Sequence, residues 1–151
     1  VVVPGVGDLG DRRLDRTWRH LGDPVYDSWL RQRLSDLADT ISEHGRQVVW
    51  TTALHVRLAP AGQGADWTEV AANDPARVDR LNEIIRSVAR DRRDVTLIDL
   101  DAWAQQLPRG GEFGTDHRAD GRDLTEAGAD QAAAWLVPQL LDLAGGTGST
   151  S

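Results

Sequence analysis

The chain has 151 residues and a formal net charge of -7, from 24 acidic residues against 17 basic ones, with a mean hydropathy of -0.44. This length holds one domain with a real core and is short for two, and the acidic balance argues against general nucleic-acid binding, which needs a basic face. The chain has no cysteine and every basic residue is an arginine, which excludes disulfides, thiolate metal sites, a cysteine nucleophile and Schiff-base chemistry on lysine.

No apolar run approaches the ~20 residues that span a bilayer. Val1-Val2-Val3-Pro4 reads as the end of a buried strand. The loop at residues 5–11 follows, with Gly5, Gly7 and Gly10 spaced to allow positive φ or close approach of the backbone. One reading is a plain strand-to-helix turn. A dinucleotide fingerprint is a weak second reading, because Asp11-Arg12-Arg13 is a charged continuation rather than a helix start.

Asp23-Pro24 opens a helix, with an N-cap aspartate and proline at the first helical position. Val25, Tyr26, Trp29, Leu30, Leu34, Leu37, Ala38 and Ile41 recur at helical spacing, and Gly45 ends the run. Residues 47–52 read as a strand. From 54 to 73 there is no clear period, and Pro60, Gly62 and Gly64 break any regular element. A loop that long is functional or disordered. It holds His55, just past a strand end, and Trp67, which suits a sugar or acyl group as well as it suits pinning the loop to the core.

Asp74-Pro75 repeats the helix-opening device, with Val78, Leu81, Ile84, Ile85 and Val88 as the buried stripe. Residues 94–100 read as another strand, and a short amphipathic piece at 102–107 leads into a glycine-rich loop at 109–114. The polar turn 118–123 precedes Thr125, an N-cap for an amphipathic run to Leu143. Residues 144–151 form a Gly/Ser/Thr tail that reads as flexible.

Strands alternating with helices of this length imply an α/β fold with a parallel sheet, helices on both faces, in three layers. Ligands of such sheets bind beyond the carboxyl ends of the strands. That edge would collect residues 5–11, His55 and its loop, residues 99–101 and residues 116–123.

Several blocks together resemble the SGNH/GDSL hydrolases, in particular the SGNH domains associated with membrane acyltransferases. Asp120-Gly121-Arg122-Asp123-Leu124-Thr125 resembles the family's last catalytic block, Asp-x-x-His followed by Leu/Phe-Thr and a helix, with Asp123 at the histidine position. Gly5-Val6-Gly7-Asp8 resembles the Gly-x-Asn-Asp block, with Gly7 in place of asparagine. Asp11-Arg12-Arg13-Leu14, Trp18, Gly22-Asp23-Pro24, Tyr26-Asp27, Val48-Val49-Trp50, Arg80-Leu81-Asn82 and Ile98-Asp99-Leu100 extend the likeness in order across residues 1–143.

The resemblance implies a flavodoxin-like domain over 1–143 that acts, as an esterase or O-acyltransferase, on acyl esters such as acetylated cell-surface carbohydrate. It implies an extracytoplasmic setting beside a membrane acyltransferase, and no cofactor or metal. Gly5, Gly7 and Asp8 would line the oxyanion and substrate loop, Asp120 would be the catalytic acid partner, and His55 and Trp67 would meet substrate. The Gly-Asp-Ser nucleophile block is absent, so either the first strand and nucleophile lie upstream of Val1 or the scaffold has lost its chemistry. A non-catalytic glycan- or protein-binding domain is the alternative.

A carboxylate with pKa near 4 is a poor base for a serine hydroxyl at neutral pH. Three readings of Asp123 stand. It is a solvated helix-start carboxylate; or it joins Asp116, His117 and Asp120 around a hard cation; or His117 has taken over as base.

Overall fold

The computed structural model describes residues 1–43, 45–58, 70–107, 114 and 116–146. The chain divides into two compact units, Val1–Gln106 and Leu107–Ser151, and each is described by itself. The architecture is mixed α/β.

In the first unit, strand β3 (Val48–Thr51) pairs in parallel with β4 (Val95–Ile98), in the register Val48↔Val95 to Thr51↔Ile98. On its other side β3 meets a single parallel bridge at Val2, where Val2 N donates to Val49 O and Thr51 N donates to Val2 O. The expected first strand is thus one bridging residue, with Val1 and Val3 exposed on either side of it. Pairing on both edges makes β3 central, and Val48, Trp50 and Thr51 are accordingly buried.

Helix α1 (Pro24–Ser42) begins as its sequence requires: the Asp23 side chain accepts from Val25 N, and Pro24 sits in the first turn. Gly45, at φ +77, follows its end and donates to Ser42 O. The buried stripe is narrower than the spacing suggests. Tyr26, Leu30 and Ala38 are buried and Trp29, Leu34 and Ile41 are partly covered, whereas Val25 and Leu37 are exposed. Each exposed residue stands one position, about 100° of rotation, from a buried neighbour, and so falls on the flank of the face.

Helix α2 (Pro75–Arg90) follows its pattern without exception. Asp74 accepts from Ala76 N, and Val78, Leu81, Ile84, Ile85 and Val88 are all buried. It provides the crossover between β3 and β4 that a parallel pair needs, and it packs on α1 and β4. Helix α3 (Leu100–Ala104) starts two residues before the expected piece, because the Asp99 side chain, accepting from Ala102 N, caps it.

An unanticipated hairpin lies between the first loop and α1. Strands β1 (Arg12–Leu14) and β2 (Thr17–Arg19) pair antiparallel around Asp15 and Arg16, both at positive φ (47° and 69°). That is the backbone of a two-residue primed turn, here without the usual glycine. Half of the strand residues are arginines, and no hydropathy pattern marks them. Side chains hold the hairpin down: the Arg12 guanidinium lies 5.3 Å from the Trp29 ring centroid, and Arg19 pairs with Asp23 at 2.8 Å.

In the second unit α4 spans Glu126–Gly146. Thr125 caps it as expected, Oγ1 accepting from Gly128 N at 3.0 Å. The helix runs three residues beyond Leu143; the rest of the expected tail, residues 147–151, lies outside the described residues.

Candidate functional site

The ladder between β3 and β4 ends at the Thr52 N to Ile98 O bond, and the chain beyond it carries the polar chemistry of this edge. Thr52 Oγ1 donates to Asp99 Oδ1 and accepts from Asp101 N, both at 2.9 Å, tying the two strand ends together. One residue on, the buried side chain of Asn82 takes the place of a strand partner. Its Oδ1 accepts from Ala53 N at 2.7 Å and its Nδ2 donates to Ala53 O at 3.0 Å. This clamp fixes the course of the backbone two residues before His55.

His55 lies between two carboxylates. Its Nε2 donates to Asp79 Oδ1 at 3.2 Å, and its Nδ1 stands 3.4 Å from Asp101 Oδ1. Asp79 on α2 is exposed, whereas Asp101 is 4% exposed. Gln105 Nε2 donates to Asp101 at 3.0 Å and Arg86 Nη2 at 3.3 Å. Arg86 also grips Asp99 through two 3.0 Å bonds. Burial pushes the Asp101 carboxyl up, but the nearby His55 ring and the bonds from Gln105 and Arg86 outweigh it and leave its pKa below the usual carboxylate value. Asp99 follows the same rule: burial raises it, and Arg86, the Ala102 N–H and Thr52 bring it down. The Arg86 guanidinium is held charged by Asp99 first and Asp101 second. A histidine with an ionised buried carboxylate on one nitrogen and a solvent-facing one on the other is fixed in orientation.

Asp79 also lines an open cleft of about 430 Å³ on the first turns of α2, with His20, Asp74, Arg77, Arg80 and Glu83 among the other lining residues and Leu21-Gly22 opposite. Of this polar edge, the spacing of residues picked out only His55 and residues 99–101. Asp79, Arg86, Asn82 and Thr52 escaped it, since each is tied to partners at least 13 residues away in the chain.

The residues expected to form an oxyanion and substrate loop make a 3-10 turn, Val6–Asp8. Gly5 N donates to Asp8 Oδ2 at 3.4 Å, and Tyr26 OH donates to Asp8 O. Gly5, Gly7 and Gly10 have no positive φ, and a Cβ built on any of them meets nothing within 4 Å. The expected close approach of the backbone is not made there by any described residue.

In the second unit, Asp120 Oδ1 accepts from Arg122 N at 2.9 Å and Asp123 N at 2.8 Å, and these bonds hold its pKa below the usual value. Gly121, at φ +71, makes the turn between them. The Asp123 side chain is 73% exposed, with Arg122 Nε 3.8 Å away. His117 is 3% exposed, and its buried Nδ1 has no hydrogen-bond partner among the described residues. Its backbone is fixed at both ends: His117 N donates to Gly114 O, and its carbonyl accepts from Thr125 N. Thr125 Oγ1 in turn donates to Asp116 O at 2.6 Å.

Among the described residues no group of three His, Asp or Glu is placed to hold a metal ion, and no helix is long and apolar enough to cross a membrane. Trp67 lies outside the described residues. No protein-family model, curated protein or solved structure matches the chain.

Proposed function

We propose that this chain is an SGNH/GDSL-type esterase or O-acyltransferase domain for acyl esters, acetylated carbohydrate foremost, with an incomplete triad. In this reading the mixed α/β chain belongs to a three-layer, flavodoxin-like fold that works beside a membrane acyltransferase. The observation that carries it is the Asp120 block. A carboxylate held by two backbone N–H groups, a glycine turn and a threonine-capped helix stand in the order that the family's last catalytic block requires. The supporting motifs run in order through the rest of the chain. Asp123 occupies the base position, and a carboxylate does not deprotonate a serine hydroxyl at neutral pH.

The test is Asp123→His, followed by NMR titration. An imidazole introduced beside Asp120 titrates above its usual value near 6.5, and Asp120→Asn removes the rise. An imidazole that titrates as a solvated one, indifferent to Asp120, refutes the assignment of the block. The unaltered chain is expected neither to label with a fluorophosphonate nor to hydrolyse a chromogenic acetate ester. Labelling at one serine, with turnover abolished by His117→Ala, would mean that a triad has been rebuilt around His117.

One observation favours the non-catalytic alternative, a glycan- or protein-binding domain on the same scaffold. The Asp123 carboxylate faces solvent and its nearest ion-pair partner is its own neighbour, Arg122, so nothing at the base position is arranged for proton transfer.

A further inference from the structure

The cleft on α2 is lined by charges that are already satisfied. Arg77 Nη1 donates to Leu9 O and to Asp11 Oδ1. Arg80 uses Nε on Asp27 and Nη1 on Glu83. Asp74 holds Ala76 N, and Asp79 holds His55. An anionic ligand would have to draw Arg77 or Arg80 away from Asp11, Asp27 or Glu83 and leave that carboxylate uncompensated.

Hydrogen-bonding capacity nonetheless remains. A guanidinium has five N–H donors and a carboxylate about four acceptor positions. Among the described residues, the second oxygens of Asp79 and Glu83 and the Nη2 groups of Arg77 and Arg80 carry no hydrogen bond. Spare donors and acceptors therefore alternate along the first turns of α2, on groups that each already hold a partner. Asp79 is held from behind by His55, which is in turn held beside buried Asp101, so little ordering cost is left for binding. The volume, about 430 Å³, lies within the range of small-ligand sites.

We propose that this cleft binds a neutral polyhydroxyl ligand, by chemical class a sugar residue, with Asp79 as the chief acceptor of its hydroxyl protons. A vicinal diol both donates and accepts, and it satisfies the spare groups without disturbing an ion pair. The inference rests on the acyl-carbohydrate reading above and names where the carbohydrate is held.

The test is titration of the chain with methyl glucopyranoside, followed by backbone amide NMR, with acetate and methylammonium as anionic and cationic controls. Saturable shifts at Gly22 and along residues 76–80 from the glycoside, and not from the controls, are expected. Asp79→Ala weakens binding about 10-fold, as loss of one charge-assisted bond does. Its melting temperature stays that of the parent, since the side chain is 62% exposed. Glu83→Gln, also at an exposed site, weakens it less. Shifts produced equally by acetate, shifts confined to other surfaces, no saturation up to the solubility limit, or an Asp79→Ala chain that binds as well as the parent each overturn the proposal. The chromogenic acetate ester and the Asp123→His titration involve no sugar. Failure here with success there rejects only the sugar site, and the reverse rejects only the acyl-ester assignment.

Discussion

Replacing Asn82 with leucine, close to it in shape, isolates the contribution of the clamp at the sheet edge. Asn82 is 0% and Ala53 is 6% exposed, so water cannot replace the two bonds of 2.7 and 3.0 Å that the amide makes. The variant leaves one N–H and one C=O buried without partners, at about 1–3 kcal/mol each, for a total of about 4 kcal/mol. At this chain length each kcal/mol moves the melting temperature by roughly 2–4 °C, so a fall of ~10 °C is expected. Asn82→Asp sharpens the test. Its carboxylate still accepts from Ala53 N, but when ionised it opposes Ala53 O and is itself desolvated, so its folded pKa is raised above the unfolded value. The penalty is therefore full at pH 7 and shrinks as pH falls through that raised pKa, where a protonated carboxyl donates to Ala53 O. The assay is paired thermal melts of parent and variant at pH 7 and pH 5. A loss below about 1 kcal/mol for Asn82→Leu, or an Asn82→Asp gap that does not narrow on acidification, refutes the reasoning.

Trp50→Ala should cost roughly 3–5 kcal/mol, because the ring is 2% exposed; Trp18→Ala, at a site 68% exposed, should stay within about 0.5 kcal/mol, and equal losses in denaturant melts would contradict the core. Gly128→Ala should destabilise despite the ~1 kcal/mol that alanine gains in a helix, since the new Cβ would lie 2.5 Å from His117 O; a higher melting temperature would refute that close approach. Asp94 has its pKa lowered to about 2, chiefly by its bond from Arg92. Its contribution to stability is present above the usual value of 3.8 and is lost as pH falls through about 2. Arg92→Ala should bring the carboxyl back towards its usual value in an NMR titration, and because the pair is half-buried and Arg92 also bonds Asp39 and Ser35, it should cost more than the ~1 kcal/mol upper end of an exposed pair.

What the sequence by itself determined lies within a few residues of its cause. Asp23-Pro24 and Asp74-Pro75 start helices because the cap and the amide that it binds are two residues apart. The α2 stripe is legible because 3.6-residue spacing brings Val78, Leu81, Ile85 and Val88 to one face, and Thr125 caps α4 across three residues. The candidate site was legible only in part. His55 stood out as a histidine beyond a strand end and Asp120 as a carboxylate before a helix, and the parallel order of the strands put residues 99–101 at the same edge as His55, but nothing in the sequence points to Asp79. The tertiary structure decided the rest. Asp79 is 24 residues from His55, Asn82 is 29 from Ala53, and Arg80 is 53 from the buried Asp27 that it neutralises. Whether such polar side chains are buried, and what they hold, depends on partners that only chain closure brings within hydrogen-bond reach, and period and propensity carry no record of them. The hairpin at residues 12–19 was hidden for the same reason. Its charged strands bury little apolar surface of their own, and they are held through Trp29 and Asp23 of the helix that follows.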